Sequence, residues 1–301
     1  MMLSGMLFAG PVWYIPGWLR CHAPESETVT SLQETFRDSE VTYRDWEGNS
    51  LVWQEAVSTA DAEGQKLYEE LKGMSSAQRE SLVLIGHSLG GRIVVRALAK
   101  LAQDGLKVRQ GILLGAALPY TDSDISKATS ASQQPILNIC NFRDVTLKYI
   151  YGSVGGEEAP ALGANGVTQI IPNYIECVIP AGFVKGVEFE NPAMDLPGMK
   201  DLVSHHAKFY AEYLGKLLRG EVSEKNSEIM VPQGNLNIQT GTTGGLIWWN
   251  TLDSCQGWQL QKNILTGHCR ILTPKKVRAA WGDEATMRAA FGKVKFQLNT
   301  Q

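Results

Sequence analysis

Apolar residues fall into two rhythms along this chain. Short, mostly apolar runs, Val12-Trp13-Tyr14-Ile15 and residues 82–85, 110–117 and 135–141, have the length and character of buried strands. Between them apolar positions recur at helical spacing: Leu51, Val52, Ala56, Ala60, Leu67 and Leu71, opened by Ser50 and closed by Gly73, then Ile93, Val94, Ala97, Leu98 and Leu101, closed by Gly105. Residues 31–36 suit a short helix and 41–45 a further strand. Strand, helix and strand thus follow one another at the spacing of parallel βαβ units. The predicted fold class is α/β: a mostly parallel sheet with helices on both faces.

Beyond residue 150 the pattern loosens. Residues 152–166 are glycine-rich, residues 169–171 and 174–179 read as two short strands or one bent at Pro172, and 186–197 are irregular. A helix then runs on to Leu214. Residues 1–220 are expected to form one α/β domain, 221–234 a linker, and 235–301 a small C-terminal α+β module. In that module residues 246–249 read as a strand. Trp258, Ile264, Cys269, Ile271 and Leu272 mark further strands. Thr273-Pro274 suits the start of a helix reaching Trp281, with another over 283–291. Four of the eight tryptophans stand there, which fits the core of a small module better than a ligand face. The module is also a candidate contact for a partner or a glycan.

Composition narrows the class. With 301 residues, 44% of them hydrophobic and 20% charged, the chain has enough apolar material for one large core and a small second one. A net charge of −3 lacks the basic footprint of a nucleic-acid binder. No apolar run has the length of a transmembrane span, and residues 1–10, with no Lys or Arg, read as a lead-in to the first strand rather than a signal peptide. Five scattered cysteines indicate no disulfide framework, so a reducing compartment, the cytoplasm, is expected. His268-Cys269 with Cys255 match no zinc spacing, and no metal is expected.

Candidate chemistry centres on Gly86-His87-Ser88-Leu89-Gly90. A serine between a buried strand and a helix, with a glycine two residues to either side, fits a sharp turn that exposes the hydroxyl while other backbone passes close by. Gly86-His87-Ser88-Leu89-Gly90-Gly91 resembles the nucleophile elbow of lipases and esterases in the α/β-hydrolase superfamily, and the resemblance extends over residues 11–218. It implies the α/β-hydrolase fold and a serine hydrolase acting on small-molecule or lipid esters without a cofactor.

By that resemblance Ser88 is the nucleophile. Pro16-Gly17-Trp18 stands at the oxyanion turn, with Pro16 where a histidine is commoner, and the backbone N–H groups of Leu89 and Trp18 are the oxyanion donors. Asp144, after the strand at 135–141, is the best-placed acid, although it also suits a helix N-cap; Asp122 and Asp124 follow an earlier strand. Two histidines head the last helix of the domain. Phe209 and Tyr210, three and four residues on, favour His206, with His205 as the alternative. Gly17, His87, Leu118 and Tyr120 are the candidate substrate contacts. Residues 121–134 are too short for a large lid, so the expected acyl pocket is shallow or open. The segment 138–151, the glycine-rich stretch and the late histidine are also similar to a branch containing the transmembrane and coiled-coil domain hydrolases. A catalytically silent scaffold on this fold, or a thioesterase or amidase, remains an alternative.

Overall fold

The computed structural model describes residues 10–18, 26–48, 50–151, 160–167, 169–180, 183, 204–222 and 249–300. The expected lead-in before Gly10, most of the glycine-rich stretch, the irregular 186–197, nearly all of the linker and residues 246–248 lie outside them. The chain divides into two compact units, Met1–Ala164 with Ile171–Glu228, and Asn165–Ile170 with Ile229–Gln301.

The first unit is the α/β layer arrangement expected. Its strands are β1 (Val12–Ile15), β2 (Val41–Tyr43), β3 (Val83–His87), β4 (Gln110–Leu114), β5 (Ile136–Cys140) and β6 (Tyr174–Val178). They form one sheet in the order β2-β1-β3-β4-β5-β6, every pair parallel. Its principal helices are α1 (Ser26–Thr35), α2 (Trp53–Gly73), α3 (Ser76–Ser81), α4 (Leu89–Gln103), α5 (Asp124–Ala128) and α6 (Ala207–Leu218). The chain steps outward from β1 to β2 and then returns past β1 to β3. Strand order therefore reverses between β1 and β3, and the crevice beyond their carboxyl ends is where open α/β sheets bind ligands.

Strand alternation sorts the core into two layers. Val12, Tyr14, Val83, Ile85, Ile112, Leu114, Leu137 and Ile139 face a cluster with Leu32 of α1 and Phe209, Tyr213 and Leu214 of α6. The opposite face receives α4, so near that a Cβ on Gly111 of β4 would sit 2.8 Å from the Leu98 side chain. On α2, a Cβ on Gly64 would stand 2.5 Å from the Cβ of Arg96 in α4. Several expected boundaries move. The second helix starts at Trp53, which is buried, whereas Leu51 and Val52 are 82% and 49% exposed. Ser50 turns the chain just before it, its hydroxyl accepting the Val52 N–H at 3.0 Å. Residues 169–171 add no strand, and Pro172 lies in the turn before β6.

The second unit is a four-stranded antiparallel sheet in the order β10-β9-β8-β7, formed by β7 (Trp249–Cys255), β8 (Trp258–Asn263), β9 (Cys269–Leu272) and β10 (Arg278–Gly282), with α7 (Glu284–Thr300). Leu260, Cys269, Ile271 and Ala280 from the strands pack with Met287, Ala290, Phe291 and Val294 from the helix. The helix expected over 273–281 is instead a turn and a strand. The Thr273 N–H donates to the Val277 carbonyl at 2.9 Å and Lys276 adopts a φ of 60°, so Pro274 shapes a hairpin rather than opening a helix. The last helix begins as expected, with Asp283 accepting the Thr286 N–H at 2.9 Å, but runs on to Thr300. Residues 165–170, read from sequence as part of the first domain, group with this unit, where the buried Lys293 ammonium donates to the Val167 carbonyl at 2.6 Å. No helix among the described residues is long and apolar enough to cross a membrane.

Candidate active site

Ser88 stands between β3 and α4 with φ 53° and ψ −120°, a conformation that a side chain adopts only under strain of about 1–3 kcal/mol. Its surroundings hold it there. The Ser88 N–H donates to the Leu114 carbonyl at 3.0 Å, and its own carbonyl accepts the N–H groups of Gly91 and Ala117 at 3.0 and 2.9 Å. The glycines are required by contact. A Cβ on Gly86 would lie 2.4 Å from the Gly90 carbonyl oxygen, and one on Gly90 would lie 2.1 Å from that of Ile15. The turn leaving β1 therefore packs directly on the elbow.

The same close approach governs Gly17, where a Cβ would lie 2.8 Å from the Ser88 Cβ. Trp46 ties this turn down by donating its indole N–H to the Pro16 carbonyl at 3.0 Å, and the Trp18 indole donates to the Ser50 carbonyl at 2.7 Å. Leu89 is the first residue of α4, so its N–H has no acceptor within the helix and lies at the positive end of the helix dipole.

His205, not His206, meets the serine. His205 Nε2 lies 2.8 Å from Ser88 Oγ, and Nδ1 lies 2.5 Å from Asp144 Oδ2. The carboxylate can only accept, so Nδ1 carries the proton and Nε2 is free to accept from the serine hydroxyl. His206 is the N-cap of α6, its Nδ1 accepting the Lys208 N–H at 3.2 Å. The preference for His206 is thus corrected. Spacing to the aromatics could not register that the residue heading the helix is used as its cap, leaving the residue before it to face the sheet.

Asp144 is fully buried, and its two carboxylate oxygens make separate contacts. Oδ1 accepts the Leu147 N–H at 2.8 Å, capping the single π-helical turn Thr146–Ile150, while Oδ2 faces the histidine. Oδ2 also accepts the Tyr210 hydroxyl at 2.5 Å. Burial, and then the Asp144 charge, push the Tyr210 hydroxyl well above its ordinary pKa, so it stays a protonated donor. Asp122 and Asp124, the competing carboxylates, pair with Arg96 instead.

Three further contacts fix the histidine segment. Asn141 Nδ2 donates to the Ser204 carbonyl at 3.1 Å, Ser204 Oγ accepts the Val145 N–H at 3.0 Å, and His87 Nε2 donates to the His205 carbonyl at 2.9 Å. His87 was expected to contact substrate. Its ring is instead 4% exposed and packs against His205 at 4.8 Å between centroids. Leu118 is also fully buried, and Tyr120 is half-buried beside the chain at Pro160, whose carbonyl takes its N–H at 3.0 Å. Tyr210, Asn141 and Ser204 were not identified as site residues from sequence. Tyr210 had drawn notice only as an aromatic near the histidines.

An ion network anchors the helix carrying the elbow. Asp61 of α2 accepts Arg92 Nε and Nη2 at 2.8 and 2.9 Å and Arg96 Nε at 2.8 Å. Burial alone would push the Asp61 carboxyl up, but the two guanidinium groups outweigh it and hold it below the ordinary value.

Residues 48–186 match the model of a family described as a protein of unknown function, DUF726. No curated protein matches the chain. Among solved structures, the chain is similar to YbtT, a type II thioesterase from the yersiniabactin biosynthetic pathway, at 17% identity over 40% of this chain and 47% of that one, with a TM-score of 0.26. The match thus spans about half the length of that thioesterase. The chain is also similar to the esterase domain of a Rhodothermus marinus protein, at 15% identity over 73% and 90% of the two chains with a TM-score of 0.34. A third is a bromoperoxidase from Bacillus anthracis, at 17% identity over 70% and 92% with a TM-score of 0.37.

Proposed function

We propose that the chain is a serine hydrolase that cleaves carboxylic esters through an acyl-enzyme on Ser88. The observation that carries this reading is the unbroken line Ser88 Oγ, His205, Asp144 at 2.8 and 2.5 Å, set on a strained turn. His205 Nε2 takes the Ser88 proton as Oγ bonds to the ester carbonyl carbon, and Asp144 stabilises the imidazolium that forms. The carbonyl oxygen becomes an oxyanion that accepts from the Leu89 and Trp18 N–H groups, each donor of this kind supplying about 2.7–4 kcal/mol. The imidazolium returns its proton to the departing alkoxide, and the acyl group stays on Ser88. Water then gives a proton to His205 and attacks the acyl carbon, and the imidazolium returns that proton to Ser88 Oγ as the bond to the acyl carbon breaks and the acid leaves.

The test is turnover of p-nitrophenyl esters, with the matching thioester and anilide in parallel. Wild-type chain is expected to hydrolyse the ester and Ser88→Ala to lose at least about a thousandfold in kcat. Equal activity of the two proteins refutes the role of Ser88. Faster cleavage of the thioester reassigns the substrate.

A further inference from the structure

The segment after Asp144 crosses the site and carries a lysine that pairs with no carboxylate among the described residues. It opens at Asp144, whose carbonyl accepts the Lys148 N–H at 3.0 Å and whose Oδ1 accepts the Leu147 N–H at 2.8 Å. It makes the single π-helical turn Thr146–Ile150 and then reaches Tyr151. The buried Tyr151 ring meets that of Trp53 at 5.6 Å between centroids, and Trp53 meets Trp18 at 5.3 Å. Trp18 follows Gly17, which packs on Ser88. One end of the segment therefore holds the carboxylate behind His205, and the other reaches the oxyanion turn. A π-helical turn is rare, and such turns recur at functional sites.

Lys148 stands within this turn. It is half-buried, with its ammonium 5.9 Å from the centre of the Phe142 ring. The Arg143 guanidinium lies 4.4 Å from the same ring, so two cations share one aromatic surface beside Asp144. Among the described residues the Lys148 side chain makes no ion pair and no hydrogen bond. Asp144 is the carboxylate near it, but its oxygens are already engaged by the Leu147 N–H, His205 and Tyr210.

Electrostatics makes this arrangement unfavourable as it stands. Burial, and then the Arg143 charge, lower the Lys148 ammonium from its ordinary pKa, and the Asp144 charge offsets only part of that. A partly desolvated ammonium beside a second cation gains most from an anionic oxygen placed against it. Arg92 and Arg96 of α4 show the contrast: the first meets Asp61, and the second meets Asp61, Asp122 and Asp124.

We propose that Lys148 binds an anionic group of the substrate, so that the esters cleaved at Ser88 carry a carboxylate or a phosphate. The proposal rests on the esterase reading for the bond that is cut, and on the placement of residues 144–151 for the anion. The anion takes no part in the bond changes. It holds the ester over Ser88 through a charge-assisted hydrogen bond from the ammonium. A neutral ester would leave that ammonium unmatched.

Two matched pairs of esters test it in the full chain. The hemiglutarate and the valerate of p-nitrophenol differ by a carboxylate on the acyl side, and butyryl glycerophosphate and monobutyrin differ by a phosphate on the alcohol side. Wild-type kcat/KM is expected to favour the anionic member of one pair by at least about tenfold, and the pair that responds identifies the anion. That ratio is expected to fall to about one in Lys148→Met, to invert in Lys148→Glu and to persist in part in Lys148→Arg. A general loss of activity cancels in the ratio, and an unchanged urea transition shows that the variants fold. Binding is read separately by calorimetry on Ser88→Ala, with glutaranilic acid against valeranilide and glycerophosphate against glycerol. The anionic member is again expected to bind at least about tenfold tighter, and the difference to vanish when Lys148→Met is added. Ratios of about one in every pair, or a preference that survives Lys148→Met, overturn the inference, and ester turnover lost in Ser88→Ala would then leave the esterase reading standing. A binding preference lost in Lys148→Met, with no ester cleaved by the wild-type chain, overturns the esterase reading and keeps the anion site.

Discussion

Strain at the elbow gives a prediction in which activity and stability part company. Ser88 holds φ 53° and ψ −120°, outside the left-handed helical well that an ordinary residue tolerates, so its strain belongs near the upper end of the usual range, about 2–3 kcal/mol. Glycine adopts that backbone freely. Ser88→Ala and Ser88→Gly both remove the hydroxyl that meets His205, so that loss cancels between them. Glycine adds back about 0.4–1 kcal/mol of unfolded-state freedom and forfeits a buried methyl group worth about 0.8 kcal/mol. The balance leaves Ser88→Gly more stable than Ser88→Ala by about 1 kcal/mol, a midpoint difference of roughly 2–4 °C for a unit of this size.

Urea unfolding of the full chain, followed by far-ultraviolet circular dichroism, compares the two variants, and both are expected to be inactive. The same pair of substitutions at Ser126, exposed in α5, serves as the control. There alanine wins by about 1 kcal/mol because the backbone is helical. If alanine equals or exceeds glycine at position 88 as well, the elbow stores no strain and the argument for a serine held under tension fails.

Three further outcomes follow from the site. His205→Ala is expected to lose at least about a thousandfold in kcat while His206→Ala stays within about tenfold of wild type and loses about 1 kcal/mol of stability as a helix cap; the reverse pattern in ester turnover restores His206. Tyr210→Phe removes one of three donors to Asp144 while keeping the ring, and is expected to cost about 1.5–3 kcal/mol in urea unfolding, with kcat falling and KM unchanged; a variant as stable as wild type shows that the hydroxyl does not support the acid. Asp61→Asn removes a carboxylate charge that the buried Arg92 and the partly buried Arg96 share and is expected to cost about 2 kcal/mol at pH 7, discounted because Asp61 is 38% exposed. Because the folded Asp61 carboxyl lies below its ordinary value, its contribution is present above that ordinary value and disappears as pH falls through the folded value, so the variant and wild type should converge in unfolding measurements as the pH is lowered.

What could be read from the sequence tracks what is local in the chain. Gly86 and Gly90 were legible because their spacing from Ser88 answers to backbone that would collide with any side chain, and Asp144 stood out because it comes shortly after a buried, mostly apolar strand. The helix expected from Thr273-Pro274 failed for a local reason too: proline suits the first turn of a helix and the corner of a hairpin equally, and the pairing of β10 with β9 decides between them.

The histidine was a different problem. His205 and His206 are adjacent, similar in composition of flanks, and separated in role by contacts 59 to 118 residues away in sequence: Ser204 to Val145, Asn141 to Ser204, and His87 to the His205 carbonyl. Those contacts fix the backbone just before α6, and once it is fixed only His205 reaches Ser88 while His206 closes the helix. Tyr210 follows from the same placement. It sits five residues beyond His205, about one and a half helical turns, where α6 crosses the carboxyl end of β4, and Gly115 lacks a side chain so that the ring can lie there; a Cβ would meet it at 2.5 Å. The choice of histidine, the supported acid and the bare position at Gly115 are therefore one packing arrangement seen from three sites, and a change at any of them should register first in the alignment of His205 with Ser88.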